Sequence, residues 1–222
     1  MANSRSATQL KLISRLTFSQ NIHQMAYNNF TLDTVKNRFR LKIANERFCE
    51  SLPVTEVGSE FLSVFSDLFE LGEAARTEKA KSELLVSPIL VQARKLVNKR
   101  VQLFSGEEFN VDQERGLNGF CDFLFSRSDN PYTIDAPVLM MVEAKRGEIE
   151  FGLGQCVAEM FAAQAYNQSQ EQNIPIVYGC VTSGRLWQFL KLEGDLVTID
   201  PTNYSLMPVQ KILGILKWIL SR

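Results

Sequence analysis

Two apolar stretches carry charges where packing would exclude them. In GLNGFCDFLF, residues 116–125, Asp122 stands among Phe120, Phe123 and Leu124, and APVLMMVEAKRG, residues 136–147, ends in Glu143 and Lys145. Both read as strands inside a sheet. Side chains alternate across a strand, so Asp122 shares a face with Phe120 and Leu124. By the same rule Glu143 and Lys145 share a face and Ala144 points away. A carboxylate buried in such company is costly unless it is paired or bound to a cation. If the two strands are neighbours, Asp122 and Glu143 converge at one edge of the sheet. One of them would then be driven to protonate unless a divalent cation sits between them. Mg²⁺ suits such a place, because it takes one or two carboxylates and completes its shell with water and phosphate oxygens. Lys145 then lies where it could orient an attacking water or stabilise charge on a phosphorane-like transition state. The simpler alternative is an ion pair between Glu143 and Lys145 at a strand end.

The elements that must position these groups are legible in outline. Leu32, Val35, Phe39 and Ile43 recur at helical spacing, which predicts a helix from Thr31 to about Phe48. Pro53 and Gly58 break it. Ser59 is placed to cap a second helix with Phe61, Leu62, Phe65, Leu68, Phe69 and Ala75 on one broad face. A third helix starts near Thr77 in TEKAKSELLVSPILVQARKLV, with a kink or break expected at Pro88. Three short apolar runs, VQLFSGEEFNVD, GFCDFLFSRS and PVLMMVEAKR, then read as successive strands. A helix follows from about Gly152 to Gln168. IVYGCVTSG, LWQFLKLEG and LVTID are further strands, and VQKILGILKWIL is a closing amphipathic helix. Residues 1–20 read as a polar, loosely structured lead. The expected fold is α/β, a central mixed sheet with helices on its faces. Residues 1–75 form a helical N-terminal extension in this reading, and residues 76–222 form the domain that holds the charged strands.

Composition excludes several classes. The chain has 222 residues, 45% of them hydrophobic, and a net charge of −1, so it can bury a full core but is no general polyanion binder. No apolar run approaches a membrane span, and MANSRSATQLKLISRLTFSQ lacks the apolar block of a secretory signal. The expectation is a soluble, cytoplasmic protein that contacts no membrane. Cys49, Cys121, Cys156 and Cys180 are isolated, which argues against a zinc site or a disulfide framework. His23 is the single histidine, so a Ser-His-Asp hydrolase is not expected. GLGQCV at 152–157 lacks the third glycine of a dinucleotide loop. Charge is unevenly spread: residues 1–100 hold 15 Lys and Arg against 10 Asp and Glu, a balance of +5, and residues 101–222 hold 9 against 15, a balance of −6. That asymmetry is compatible with phosphate binding beside a cation site.

The conjunction of an acid in an apolar strand, Glu-x-Lys ending the next strand and a helix directly after resembles the PD-(D/E)XK nuclease superfamily. The resemblance covers roughly Thr77 to Phe189 and implies a restriction-endonuclease-like core of helix, three strands, helix and strands. It places the family's strand Asp on Asp122 and its (D/E)-x-K on Glu143-Ala144-Lys145. A helix glutamate near the metal would be Glu78 or Glu83, and a glutamine on the following helix would be Gln155. The stretch TEKAKSELLVSPIL is also similar to the opening helix of the nuclease domain in type I restriction subunits. Two departures stand out: Cys121 occupies the place of the family's proline, and Glu159 follows Gln155 where some subgroups carry tyrosine.

The resemblance implies a Mg²⁺- or Mn²⁺-dependent phosphodiesterase acting on nucleic acid, with DNA as the expected substrate. Asp122 and Glu143 would hold the metal, Lys145 would assist the water, and Gln155 would steady the site. Lys79, Lys81, Arg94, Lys95, Lys99 and Arg100 would contact phosphates. A homodimer or partner subunits are expected on fold analogy. The alternatives are a catalytically silent nuclease-fold module that binds nucleic acid or another partner, and a plain structural protein.

Overall fold

The computed structural model describes residues 26–222; the lead read at residues 1–20, and His23, lie outside the described residues. The helices are α1 (Leu32–Phe39), α2 (Ser59–Glu73), α3 (Glu78–Lys81), α4 (Ser87–Leu96), α5 (Glu150–Ser169) and α6 (Val209–Leu220). The strands are β1 (Lys42–Asn45), β2 (Gln102–Glu108), β3 (Phe120–Ser126), β4 (Val138–Ala144), β5 (Ile176–Thr182), β6 (Leu186–Glu193), β7 (Leu196–Ile199) and β8 (Tyr204–Ser205). All eight strands form one open mixed sheet in the order β1-β7-β6-β5-β4-β3-β2, with β8 paired to β6. The α/β expectation holds at this level: β4 and β5 run parallel, which requires a crossover, and α5 supplies it. Strands β2, β3 and β4 form an antiparallel meander.

Each face of the sheet has its own apolar layer. On one face Leu85, Ile89 and Leu90 of the α4 region and Ile212 and Leu216 of α6 cover Phe123, Phe125, Val142 and Phe189. On the other, Cys156, Val157 and Met160 of α5, with Val35 and Phe39 of α1, cover Leu124, Met141, Val181 and Val197. Strand β4 is therefore buried along its whole length, which explains its continuous apolar sequence. Among the described residues no helix is long and apolar enough to cross a membrane.

The first half departs from its sequence reading. The helix expected to reach Phe48 ends at Phe39, because Arg40 takes a left-handed conformation with φ 56°. Lys42–Asn45 then pairs in parallel with β7, so β1 is part of the sheet. Ile43 continued the helical period by coincidence, since an apolar strand residue four positions on also satisfies it. Helix α2 is capped by Gly58 rather than Ser59, with no side-chain cap, and Ala75 lies beyond its end. At Pro88 the break is a π-helical turn over Ser82–Val86, after which Pro88 occupies the first turn of α4, where a missing N–H costs nothing.

Candidate functional site

The site stands where β3 begins and β4 ends. The register that pairs Phe123 with Val142 continues to set Asp122 across from Glu143. Asp122 Oδ2 accepts the Ala144 N–H at 2.8 Å, which fixes the carboxylate at the sheet edge. Glu143 points to the α5 face and is 1% exposed. Lys145 N–H donates to the Thr182 carbonyl at 2.7 Å, so the chain stays in register with β5 one residue past β4. Its ammonium pairs with Glu143 Oε1 and donates to Gln155 Oε1 at 3.0 Å. Gln155 Nε2 in turn donates to Glu159 Oε1 at 3.0 Å. The helix spacing of four residues puts Gln155 and Glu159 on one face of α5. Gly152 makes the Lys145 position possible, because a Cβ there would sit 2.5 Å from Val181 Cγ1 and 3.0 Å from Lys145 Cγ.

Two of the predicted helix acids reach this edge differently. Glu78, at the start of α3, accepts the Arg146 N–H on Oε2 at 2.8 Å. Glu83 is tied to Lys79 by a 2.5 Å ion pair. Both line a cleft of about 310 Å³ with Asp122, Ala144, Ser82 and Ser105. Glu143, Lys145 and Gln155 do not line this cleft. Asp122, Glu143, Lys145 and Gln155 are thus brought together, Glu78 stands at the mouth, and Glu83 is partnered elsewhere.

The electrostatics of the cluster are those of too many acids for one base. Burial pushes the Asp122 carboxyl up, against the Ala144 N–H and the Lys145 charge. Burial raises Glu143 well above its ordinary range, and repulsion from Glu159 and Asp122 adds to it while Lys145 opposes. Glu159 is pushed up to about 8, first by burial and then by Asp122, against the Gln155 hydrogen bond and Lys145. For Lys145, burial works to discharge the ammonium, but Glu143, Asp122 and Glu78 outweigh it and hold it charged. With all the carboxyls ionised, Glu143 Oε2 and Glu159 Oε2 are buried without a hydrogen-bond donor; a proton on one of the acids lets Glu143 pair with Asp122 or Glu159. Three carboxyls against one ammonium leave the cluster short of positive charge, which protons or a cation can supply.

That deficit is also a test of whether a divalent metal fits. Among the described residues no three His, Cys, Asp or Glu side chains form a ready metal cage. Mg²⁺ does not require one, since it binds through one or two carboxylates plus water and substrate phosphate. The unpartnered Glu143 oxygen beside Asp122 is the donor chemistry such an ion takes, so the residues present fit it.

Sequence reasoning missed Glu159 as a member of the site and noted it only as a departure. The available signal was a glutamate four residues after Gln155, inside a helix segment otherwise made of Cys156, Val157, Ala158 and Met160. A helix this apolar is buried on that side, and a buried acid must answer another charge. No protein-family model matches this chain, and no curated protein matches it in sequence.

Proposed function

We propose that this chain is a Mg²⁺- or Mn²⁺-dependent nuclease of the PD-(D/E)XK type, hydrolysing phosphodiester bonds in nucleic acid, with DNA the favoured substrate. One observation carries the reading. Glu143, buried at the end of β4 beside Asp122, keeps an oxygen without a partner while its other oxygen holds Lys145. Glu159 Oε2 is short of a donor in the same way, so Asp122, Glu143 and Glu159 together outnumber the single Lys145 ammonium and leave the cluster a charge deficit that a cation would fill. The order of elements supports the reading too: helix, the β2–β3–β4 meander, α5 and then β5. We infer a restriction-endonuclease-like core over roughly residues 77–189.

In this reading Asp122 and Glu143 hold the ion, with Glu78 beside them at the cleft. A bound Mg²⁺ polarises a phosphate oxygen and makes bound water more acidic. Lys145, kept charged by Glu143, orients the attacking water and stabilises charge as the phosphate passes through its transition state. Gln155 fixes the ammonium, and Glu159 fixes Gln155.

The test is cleavage of plasmid DNA and of RNA in Mg²⁺ or Mn²⁺ by the wild type beside Asp122→Asn, Glu143→Gln and Lys145→Ala. Cleavage by the wild type and its loss in all three is the expected result. Activity retained by Asp122→Asn or Lys145→Ala overturns the proposal. A catalytically silent binding module is the second reading, favoured by Lys145 being already engaged by Glu143 and Gln155. It predicts salt-dependent DNA binding without cleavage in either metal.

A further inference from the structure

Strand β3 carries Asp122 near its start and leads into Arg127 just past its end. Around Arg127 lies a second cleft, of about 460 Å³, lined also by Arg100, Lys217, Asn98 and Ser221. Arg100 belongs to the loop between α4 and β2, and Lys217 to the last turn of α6. No acidic residue lines the cleft. Among the described residues the side chains of Arg100, Arg127 and Lys217 make no ion pair and no hydrogen bond. Three like charges around one hollow repel one another, and an anion between them relieves that.

No hydrogen bond or ion pair among the described residues ties these three side chains to the fold. The local structure here is closed by Arg94, whose Nε donates to the Val101 carbonyl at 2.7 Å and whose guanidinium donates to Gln102 Oε1 at 2.8 Å. The negative ends of α4 and α6 attract nearby cations, but Arg127 stands on a strand end and Arg100 on a loop. Two arginine forks and an ammonium match the geometry and charge of a phosphate group.

Position says which phosphate. From Asp122 to Arg127 is five residues of strand, or about 17 Å at ~3.3 Å per residue. Helix α4 runs between the two clefts: Ser87 lines the one at Asp122 and Leu96 the one at Arg127. Along a duplex axis the phosphates of one strand rise about 3.4 Å each, so a duplex lying along β3 would span the distance with about five nucleotides. We propose that the Arg100–Arg127–Lys217 cleft is a second phosphate-binding site that grips the backbone of the nucleic-acid strand whose cleaved bond lies at Asp122 and Glu143. This rests on the nuclease reading above.

The test is fluorescence anisotropy with a labelled 20-nucleotide DNA in chelator, comparing the wild type with Arg100→Gln/Arg127→Gln/Lys217→Gln. The expected result is at least a tenfold weaker Kd for the triple variant. The slope of log affinity against log salt should fall by about 2 to 3. A mononucleotide should compete with the oligonucleotide only weakly. An unchanged Kd and slope overturn the proposal, as does a wild type that does not bind. Competition by free phosphate or the mononucleotide as effective as that of the 20-mer overturns the strand assignment and leaves a small-anion site. If the triple variant does not melt like the wild type, Lys217→Glu replaces it, with the same expected direction. Running Glu143→Gln in parallel separates the two readings. A protein that binds through this cleft but never cleaves sinks the nuclease and keeps the cleft; one that cleaves with the triple variant unaffected does the reverse.

Discussion

The two ends of strand β3 treat charge in opposite ways. At its start Asp122 joins Glu143, Glu159 and Lys145 in a cluster packed against α5, where Glu143 and Glu159 are buried and repel each other. At its far end Arg100, Arg127 and Lys217 gather around an open cleft with no side-chain partners among the described residues. Burial makes charge expensive, so every group at the first end must find a partner, a proton or a cation. Exposure makes charge cheap, because water and salt screen it, and what remains is a long-range pull on an anion. Clustered charge therefore gives a chemically exacting site at one end and an electrostatic handle at the other.

The comparison is broken most directly at Lys145. Lys145→Met leaves Glu143 buried without its cation, and breaking a buried pair costs about 3 kcal/mol or more. Urea denaturation in chelator at pH 7 should show that loss, together with abolished cleavage. A loss no larger than that of an exposed lysine would mean the buried end is not special.

Next in size is the pH dependence set by Glu159. Its carboxyl titrates near 8 in the folded protein against an ordinary 4.5, so the folded chain keeps a proton that the unfolded chain gives up. Its contribution to stability is complete below about pH 4.5 and is lost as pH rises through about 8. The slope is at most about 1.4 kcal/mol per pH unit. Melting temperature in chelator should therefore fall between pH 5 and 8.5, and Glu159→Gln should flatten that fall. The same slope in both proteins would show that this acid is not the titrating group. Mn²⁺ should also reduce the slope, because it supplies the positive charge that the proton otherwise brings.

Asp122→Asn should move apo stability less, by about 1 kcal/mol or under, and upward if at all. The asparagine oxygen still accepts the Ala144 N–H, and one of the mutually repelling acids is gone. Cleavage should be lost all the same. A clear drop in the apo melt would instead make Asp122 a structural partner of Lys145.

How much of this could be read from the chain depends on the same contrast. Asp122, Glu143 and Lys145 were legible because period-two alternation on a strand is strict and a charge on an apolar face violates it. The sheet followed from the same pattern, and the crossover helix from its Ala-, Gln- and Glu-rich sequence. Glu159 was legible only in part: the apolar residues around it mark a buried helix segment, but the charges that its face meets are known only once the sheet beneath it is known. The helix that ends at Arg40 failed for a different reason. A four-residue edge strand such as Lys42–Asn45 is stabilised by its partner β7, more than 150 residues away in sequence, and no local pattern records that. The cationic cleft assembles Arg100, Arg127 and Lys217 from three separate elements, so only the fold could bring them together.

The smallest expected effect is the sharpest check on the exposed end. Lys217→Ala removes an unpaired cation from the last turn of α6, so it should alter stability by no more than about 0.5 kcal/mol. A loss comparable to that of Lys145→Met would show that Lys217 supports the fold and that the two ends are not opposites. The same substitution should weaken DNA binding uniformly across sequences and lower the salt slope by about one, as the loss of a single phosphate contact does. Arg100→Ala, measured alongside, decides whether the cleft acts as a unit. If each cation meets the backbone separately, the two losses add in free energy, as they do at independent sites. If they close around one phosphate, the double variant loses less than the sum, because the first removal already loosens the grip that the second depends on.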